Sequence, residues 1–121
     1  MLRNTNDLQG YAIHVLAEKL GLSHQALFDV ASTSSGQSWS MTSYCPVPGP
    51  VPASPANRNY QPGFAAALML KDLKLAQEAA IASGAPTPLG AKAEALYAAF
   101  NAAGHAGEDF SGIINFLRNG S

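Results

Sequence analysis

One cysteine among 121 residues cannot close an internal disulfide or build a zinc constellation. Such a chain fits a reducing compartment, and Cys45 reads as an inert small residue. Charge is also scarce, at 12% of residues with a net charge of −1 and no cluster of Lys and Arg. The electrostatic footprint that nucleic acid or an anionic membrane surface requires is therefore missing. No apolar run reaches the roughly 18 residues needed to cross a bilayer without a charge, and the N-terminus lacks a basic region followed by an apolar core. Also absent are a glycine-rich phosphate loop, a nucleophile motif and any His/Cys cluster at metal-ligand spacing, so no metal site is expected. His14, His24 and His105 are dispersed and read as surface or half-buried helix residues.

What the chain does have is apolar helix. With 47% apolar residues and so little charge, 121 residues suit one domain with one modest core. A surface this uncharged is expected to be partly hidden in a partner or second domain. The central stretch is 64–83, FAAALMLKDLKLAQEAAIAS. Leu68, Leu75 and Ala79 form one stripe at helical spacing and Met69, Leu73, Ala76 and Ala80 another, which predicts a helix buried around most of its circumference. Residues 7–20 predict an amphipathic helix presenting Leu8, Ala12, Val15 and Leu16 and stopping at Gly21. Ser23 offers an N-cap for a second helix with Ala26, Leu27, Val30 and Ala31 inward. Thr87 and Pro88 read as cap and first turn of a helix running to about 103, with Leu89, Ala93, Leu96, Tyr97 and Phe100 facing the core and Gly104 ending it. Phe110, Ile113, Ile114 and Leu117 define a last helix before the RNGS tail. No strand pattern or repeat is present, so the fold class is all-α.

Between Thr33 and Phe64 the composition turns to Ser, Gly and Pro, with five prolines between 46 and 55. A connection this long is usually disordered or functional. Trp39, Tyr44, Tyr60 and Phe64 supply anchors that a disordered linker lacks, so an ordered covering loop is expected, with a short helix near 36–42. Three features carry chemical interest. Lys71 and Asp72 interrupt the apolar helix about 100° apart, too far around it to pair simply with each other. They are either a snorkelling lysine with a solvated aspartate or a functional cation with an orienting carboxylate. Trp39, within SSGQSWS, is a packing anchor or the wall of a ligand site. The Tyr44 hydroxyl serves a ligand or caps a backbone carbonyl.

Taken together, Gly21-Leu22, SSGQSWS at 34–40, Tyr44, PVPG at 46–49, Asn59-Tyr60, Gly63-Phe64, LMLKDLKLAQEAA at 68–80 and DFSGIINFL at 109–117 resemble the C-terminal domain of 3-hydroxyisobutyrate dehydrogenases. These belong to the β-hydroxyacid dehydrogenases, related to 6-phosphogluconate dehydrogenase. The resemblance runs from about residue 8 to the end of the matched motifs. It implies a helical domain of the 6-phosphogluconate dehydrogenase-like type that closes a substrate cleft and forms much of the subunit interface, while a separate Rossmann domain binds NAD. It further implies that Lys71 lies near the nicotinamide end of the cofactor, that Asp72 helps set its position, and that Ser35, Trp39 and Tyr44 border the substrate cleft.

The family's catalytic lysine, followed four residues later by a substrate-binding asparagine, falls just before or at the extreme beginning of this chain. MLRNTN contains no lysine, Arg3 and Asn4 do not reproduce the spacing, and arginine is a poor acid or base because it hardly releases its proton. The glycine-rich cofactor fingerprint is absent. The expectation is a single domain over residues 1–121, inactive on its own and without a catalytic residue. It would come from an NAD-dependent enzyme that oxidises a β-hydroxy acid to its semialdehyde. The alternatives are a tartronate semialdehyde reductase-like domain and an inert helical interaction module. A homodimer or higher homo-oligomer is expected, cytoplasmic in a bacterium or mitochondrial in a eukaryote.

Overall fold

Six α-helices follow one another in the computed structural model, which describes residues 2–119 and their side chains from Thr5 onward. Arg3, Asn4 and the end of the RNGS tail, read above from sequence, lie outside the described side chains. α1 (Leu2–Lys19) lies against α2 (His24–Ala31), α3 (Trp39–Thr42), α5 (Pro88–Phe100) and α6 (Ile113–Arg118), and α4 (Ala66–Ser83) packs along α5. Short 3₁₀ turns occupy Pro55–Arg58 and Phe110–Gly112, and Asn101–His105 forms a π-helical turn. Among the described residues extended pairing is limited to a single antiparallel bridge, Ala65 to Asp109. The all-α expectation holds.

The core gathers Tyr11, Met69, Leu73, Tyr97, Phe100, Phe110, Ile113 and Ile114, all essentially removed from solvent. Large side chains buried this fully contribute about 1.5–3 kcal/mol each. Their polar handles are only partly used. The Tyr97 hydroxyl donates to the Phe110 carbonyl at 3.0 Å, whereas the Tyr11 hydroxyl has no hydrogen-bond partner among the described residues.

Several expected core faces are corrected. α1 turns inward Asp7, Leu8, Tyr11, His14 and Ala17, leaving Ala12 and Leu16 exposed, so its face is rotated by roughly one residue, about 100°. Reading polar side chains as outward is what misplaced it, since Asp7 and His14 are buried. α1 also begins earlier than residue 7, at Leu2. α2 buries no residue fully, and Val30 is 70% exposed, because that helix touches the domain along one side only. On α4 only the Met69, Leu73, Ala76, Ala80 stripe faces inward. Leu68 and Leu75 are about half exposed, and Ile81 stands in solvent. The helix is therefore one-sided and not central. Leu89, expected inside, is also outside, while Gly90 beside it is buried.

Helix ends follow their local chemistry. Gly21 (φ 82°), Gly84 (φ 73°) and Gly104 (φ 100°) all occupy the left-handed region that suits a helix-ending glycine. Ser23 caps α2 through the Ala26 amide. Thr87 marks the start of α5 as expected but does not cap it, because its hydroxyl lies 3.1 Å from Gln77 Oε1 on α4.

The Pro-rich loop is ordered, as its aromatics implied. The Tyr60 hydroxyl donates to the Pro46 carbonyl at 2.7 Å. Asn57 accepts from the Gly49 amide and donates to the Val51 carbonyl, which folds the proline turns back on themselves. Asn59 and Tyr60 both take positive φ, a costly choice for Tyr60 that its anchored hydroxyl helps to maintain.

The two ends of the domain are tied by charge. Arg118 Nε and Nη2 donate to the Glu18 carboxylate at distances down to 2.6 Å, and His24 Nε2 lies 2.6 Å from the same group. The Arg118 guanidinium lowers the Glu18 pKa to about 2. One turn before Glu18 on α1, His14 is 1% exposed, neither ring nitrogen has a hydrogen-bond partner among the described residues, and its ring meets His24 edge-on at 6.1 Å. Burial, with His24 nearby, lowers the His14 pKa from 6.5 to about 4.

An unfolded chain thus takes up the His14 proton near pH 6.5 while the folded one resists until about 4. The native state binds fewer protons in this window, so stability is full above 6.5 and declines as pH falls toward 4. Melting temperatures measured from pH 7.5 to 4 are expected to fall steadily. His14→Leu should flatten that decline, removing a linkage term of roughly 3 kcal/mol at most. An equally steep profile in the variant would locate the acid sensitivity elsewhere. Arg118→Met, by ending the bidentate contact, is expected to cost about 1–2 kcal/mol at pH 7 in a denaturant titration.

Candidate functional site

The covering loop enters the site through Gly36, which passes beside Ala31. Ser38 then starts α3 in extended backbone, and Trp39 is the first residue of that short helix. Its indole, 42% exposed, stacks on the Tyr44 ring with centroids 5.1 Å apart and planes 16° apart. Tyr44 stacks in turn on buried Phe110 at 4.9 Å, and Phe64 meets Phe110 edge-on at 6.1 Å. Offset and edge-on ring contacts of this kind add about 0.5–1.5 kcal/mol each beyond area burial. The result is a graded wall with one end in solvent and the other in the core.

Asp109 stands at the buried end, with no solvent exposure. Its Oδ1 accepts from the Tyr44 hydroxyl at 2.5 Å, the Gly63 amide at 3.0 Å and the Phe64 amide at 3.1 Å. Its Oδ2 accepts from the Ser111 amide at 3.0 Å and the Ser111 hydroxyl at 2.5 Å. Burial, followed by the bond to the Asp109 carboxylate, raises the Tyr44 pKa, so the phenol remains a donor. The Tyr44 hydroxyl donates to a buried carboxylate and does not cap a backbone carbonyl. In the sequence Asp109 stands out only as the first residue of DFSGIINFL. An Asp two residues before a Ser, capping a 3₁₀ turn, is the local trace it leaves, but its three contacts from 44–64 have no sequence signature.

Ser35 lies to one side. It is exposed and lines an open groove of about 440 Å³ between α1 and the SSGQS segment, with Asn6, Gln9, Gly10, Gln37 and Met41 among its neighbours. Gly10 faces Ser40 here, where an added Cβ would make an ordinary contact 3.4 Å from the Ser40 hydroxyl. The groove is rich in amide and hydroxyl groups, able to hold a small polar ligand without offering it a charge. Trp39 and Tyr44 are adjacent along the loop but do not line it.

Lys71 and Asp72 sit apart from both features, exposed on the outer side of α4. Lys71 borders a shallow depression with Leu70, Lys74, Leu75 and Glu78. The outer stripe of Leu68, Leu75 and Ala79 runs between the Lys71 and Asp72 directions around the helix. The two charges therefore flank an apolar strip and do not sit in the interior. An exposed lysine on such a face can meet an anionic or amide-bearing cofactor brought by another body, but it cannot enclose one. Among the described residues no group of His, Cys, Asp and Glu could hold a metal ion, and no helix is long and apolar enough to cross a membrane.

Comparison with known proteins places these features in a family. Residues 10–117 match the family model described as "NAD-binding of NADP-dependent 3-hydroxyisobutyrate dehydrogenase". A probable 3-hydroxyisobutyrate dehydrogenase of Mycobacterium tuberculosis is 58% identical over 104 residues, covering 86% of this chain and 35% of that protein. The human mitochondrial 3-hydroxyisobutyrate dehydrogenase is 42% identical over 103 residues, covering 85% of the chain and 31% of the relative. The solved structure of the M. tuberculosis 3-hydroxyisobutyrate dehydrogenase with L-serine superposes with a TM-score of 0.93 at 52% identity, over 98% of this chain and 40% of that one. The chain spans about a third of the length of the curated relatives it matches. With a family model matched along most of its length, this chain belongs to the 3-hydroxyisobutyrate dehydrogenase family.

Proposed function

We propose that the chain is the C-terminal substrate-cleft and subunit-contact domain of an NAD(P)-dependent dehydrogenase acting on a short β-hydroxy acid, and that it is inactive alone. The observation that carries this reading is the superposition of nearly the whole chain on an enzyme solved with L-serine. Serine is itself a small carboxylic acid with a primary alcohol on its β-carbon. The cofactor, when bound by a separate domain, supplies hydride transfer between that alcohol and the aldehyde.

In this reading the chain's own residues bind and exclude. Ser35 and the neighbouring amides of the α1 groove orient the polar substrate. The exposed edge of Trp39, backed by Tyr44, keeps water from the reacting end. Lys71 presents a positive charge to the cofactor from the outer face of α4, and Asp72 keeps an opposite charge beside it. The proton-transfer residue is supplied from outside this chain, and the low density of titratable groups around the groove fits that division of labour.

The same reading accounts for the exposed apolar side chains. Leu68, Leu75, Ile81 and Leu89 are 48–81% exposed across α4, its end and the start of α5, apolar surface of the kind that is open to association. A second copy of the chain is proposed to cover it.

Calorimetric titration of the 121-residue chain with NADH and 3-hydroxyisobutyrate, with the mass of the same sample by light scattering, tests both parts. No saturable binding and a dimeric mass are expected. Saturable NADH binding would mean that the chain carries a cofactor site of its own and would overturn the reading. Leu68→Lys combined with Leu75→Lys should shift the mass to that of a monomer with helical content retained; an unchanged mass would move the subunit contact elsewhere.

A further inference from the structure

Tyr44 is fixed from several sides. Its hydroxyl is bound to Asp109 at 2.5 Å, and its ring lies on Phe110, the residue that follows Asp109 in the chain. Gly63 closes the remaining side, since a Cβ there would sit 2.8 Å from the Tyr44 hydroxyl. Trp39 stacks on this fixed ring, nearly parallel to it. The backbone on either side of Asp109 is tied down as well: its amide donates to the Tyr60 carbonyl at 2.9 Å, and the Phe110 amide donates to the Phe64 carbonyl at 2.9 Å.

From this geometry we infer that Asp109 is a positioning residue for the cleft: through the Tyr44 hydroxyl it sets the plane of Tyr44 and hence the orientation of the exposed Trp39 ring. The inference rests on the reading of Trp39 as a cleft wall and adds the residue that aims it. A carboxylate is suited to this task. One oxygen takes Tyr44 and the two amides of the 63–64 turn while the other takes both donors of Ser111, so the charge is neutralised by donors whose positions the backbone fixes. An amide in its place would turn one acceptor into a donor facing either Tyr44 or Ser111, and an unpaired donor or acceptor would remain in the core. Tyr44 contributes a donor at the end of a rigid ring, so the constraint reaches Trp39 without passing through a flexible side chain.

The chain contains one tryptophan, so its fluorescence reports on Trp39 alone. Emission maximum, steady-state anisotropy and acrylamide quenching are to be measured well below the melting transition for the native chain, Tyr44→Phe, Gly63→Ala, Asp109→Asn and Ser111→Ala. Circular dichroism on the same samples establishes that each is folded. Tyr44→Phe keeps the ring and removes only its hold on Asp109, while Gly63→Ala keeps both partners and pushes them apart. Each is expected to lower the anisotropy and raise the quenching constant of Trp39 with helix content unchanged. Ser111→Ala, which loosens Asp109 on the side away from Tyr44, should lower the melting temperature yet leave the Trp39 signals as in the native chain. Asp109→Asn should reproduce the Tyr44→Phe signals if folded; if it does not fold, the Tyr44 and Gly63 variants decide.

Native Trp39 signals in both Tyr44→Phe and Gly63→Ala would overturn the inference. So would an equal change in Ser111→Ala, which would show a general loosening of the domain. These readouts concern ring orientation in the free chain. They separate failure of the Asp109 linkage from failure of the cleft reading, which the NADH titration and mass measurement test.

Discussion

A charged carboxylate placed in an apolar core is costly unless every lone pair meets a donor, and Asp109 meets five. The fold around it follows from that requirement. The 60–67 segment must bring the Gly63 and Phe64 amides to it, the 105–112 segment must turn so that Ser111 folds back, and the Pro-rich loop must deliver Tyr44 from nearly 65 positions away. Backbone bonds reinforce the same junction: the Ala66 amide reaches the Glu108 carbonyl at 2.8 Å, and the Ala67 amide reaches the Ala106 carbonyl at 3.0 Å. The helices supply most of the apolar area, while this junction fixes how α4, the loop and the C-terminal turn meet. Removing one donor leaves part of the carboxylate undersatisfied, at a cost in stability.

That arrangement also explains the long loop. A stretch of 30 residues without a long helix would normally fray, yet here prolines limit its unfolded freedom and each aromatic finds a specific seat. Tyr60 hangs on the Pro46 carbonyl, Tyr44 on Asp109, and Trp39 on Tyr44. Order passes along the loop from the core outward and ends at the indole that meets solvent. The groove beside Ser35 lies next to this ordered edge, so the uncharged hydroxyls and amides there are presented from a stiff support, although the segment has little regular secondary structure.

Helix existence was legible in the sequence because apolar spacing and end signals agree: Gly21, Ser23, Gly84 and Gly104 all mark real boundaries. Helix orientation was less so. The spacing of Leu68, Leu75 and Ala79 is as regular as that of Met69, Leu73 and Ala80, and nothing local distinguishes a stripe that faces the core from one that faces another body. Val30 and Leu89 misled for the same reason. In α1 the opposite error occurred, since His14 and Asp7 are polar but buried, and a hydrophobic pattern turns them outward. The residues proposed for the site, Ser35, Trp39, Tyr44, Lys71 and Asp72, are named from motif resemblance alone. The buried carboxylate behind Tyr44 is not, because its partners converge from segments that are distant along the chain.

The clamp between Glu18 and Arg118 has a consequence for how the domain is made. These residues are 100 positions apart and join the first helix to the last. During synthesis α1 is made well before α6, so Tyr11 and Leu8 appear before the other half of their core, Phe110, Ile113 and Ile114. Neither this core nor the clamp can close until Arg118 has left the ribosome, so the helices of the domain stay loosely associated until then. Its apolar stripes are exposed throughout that interval. A domain built this way acquires its structure late and all at once.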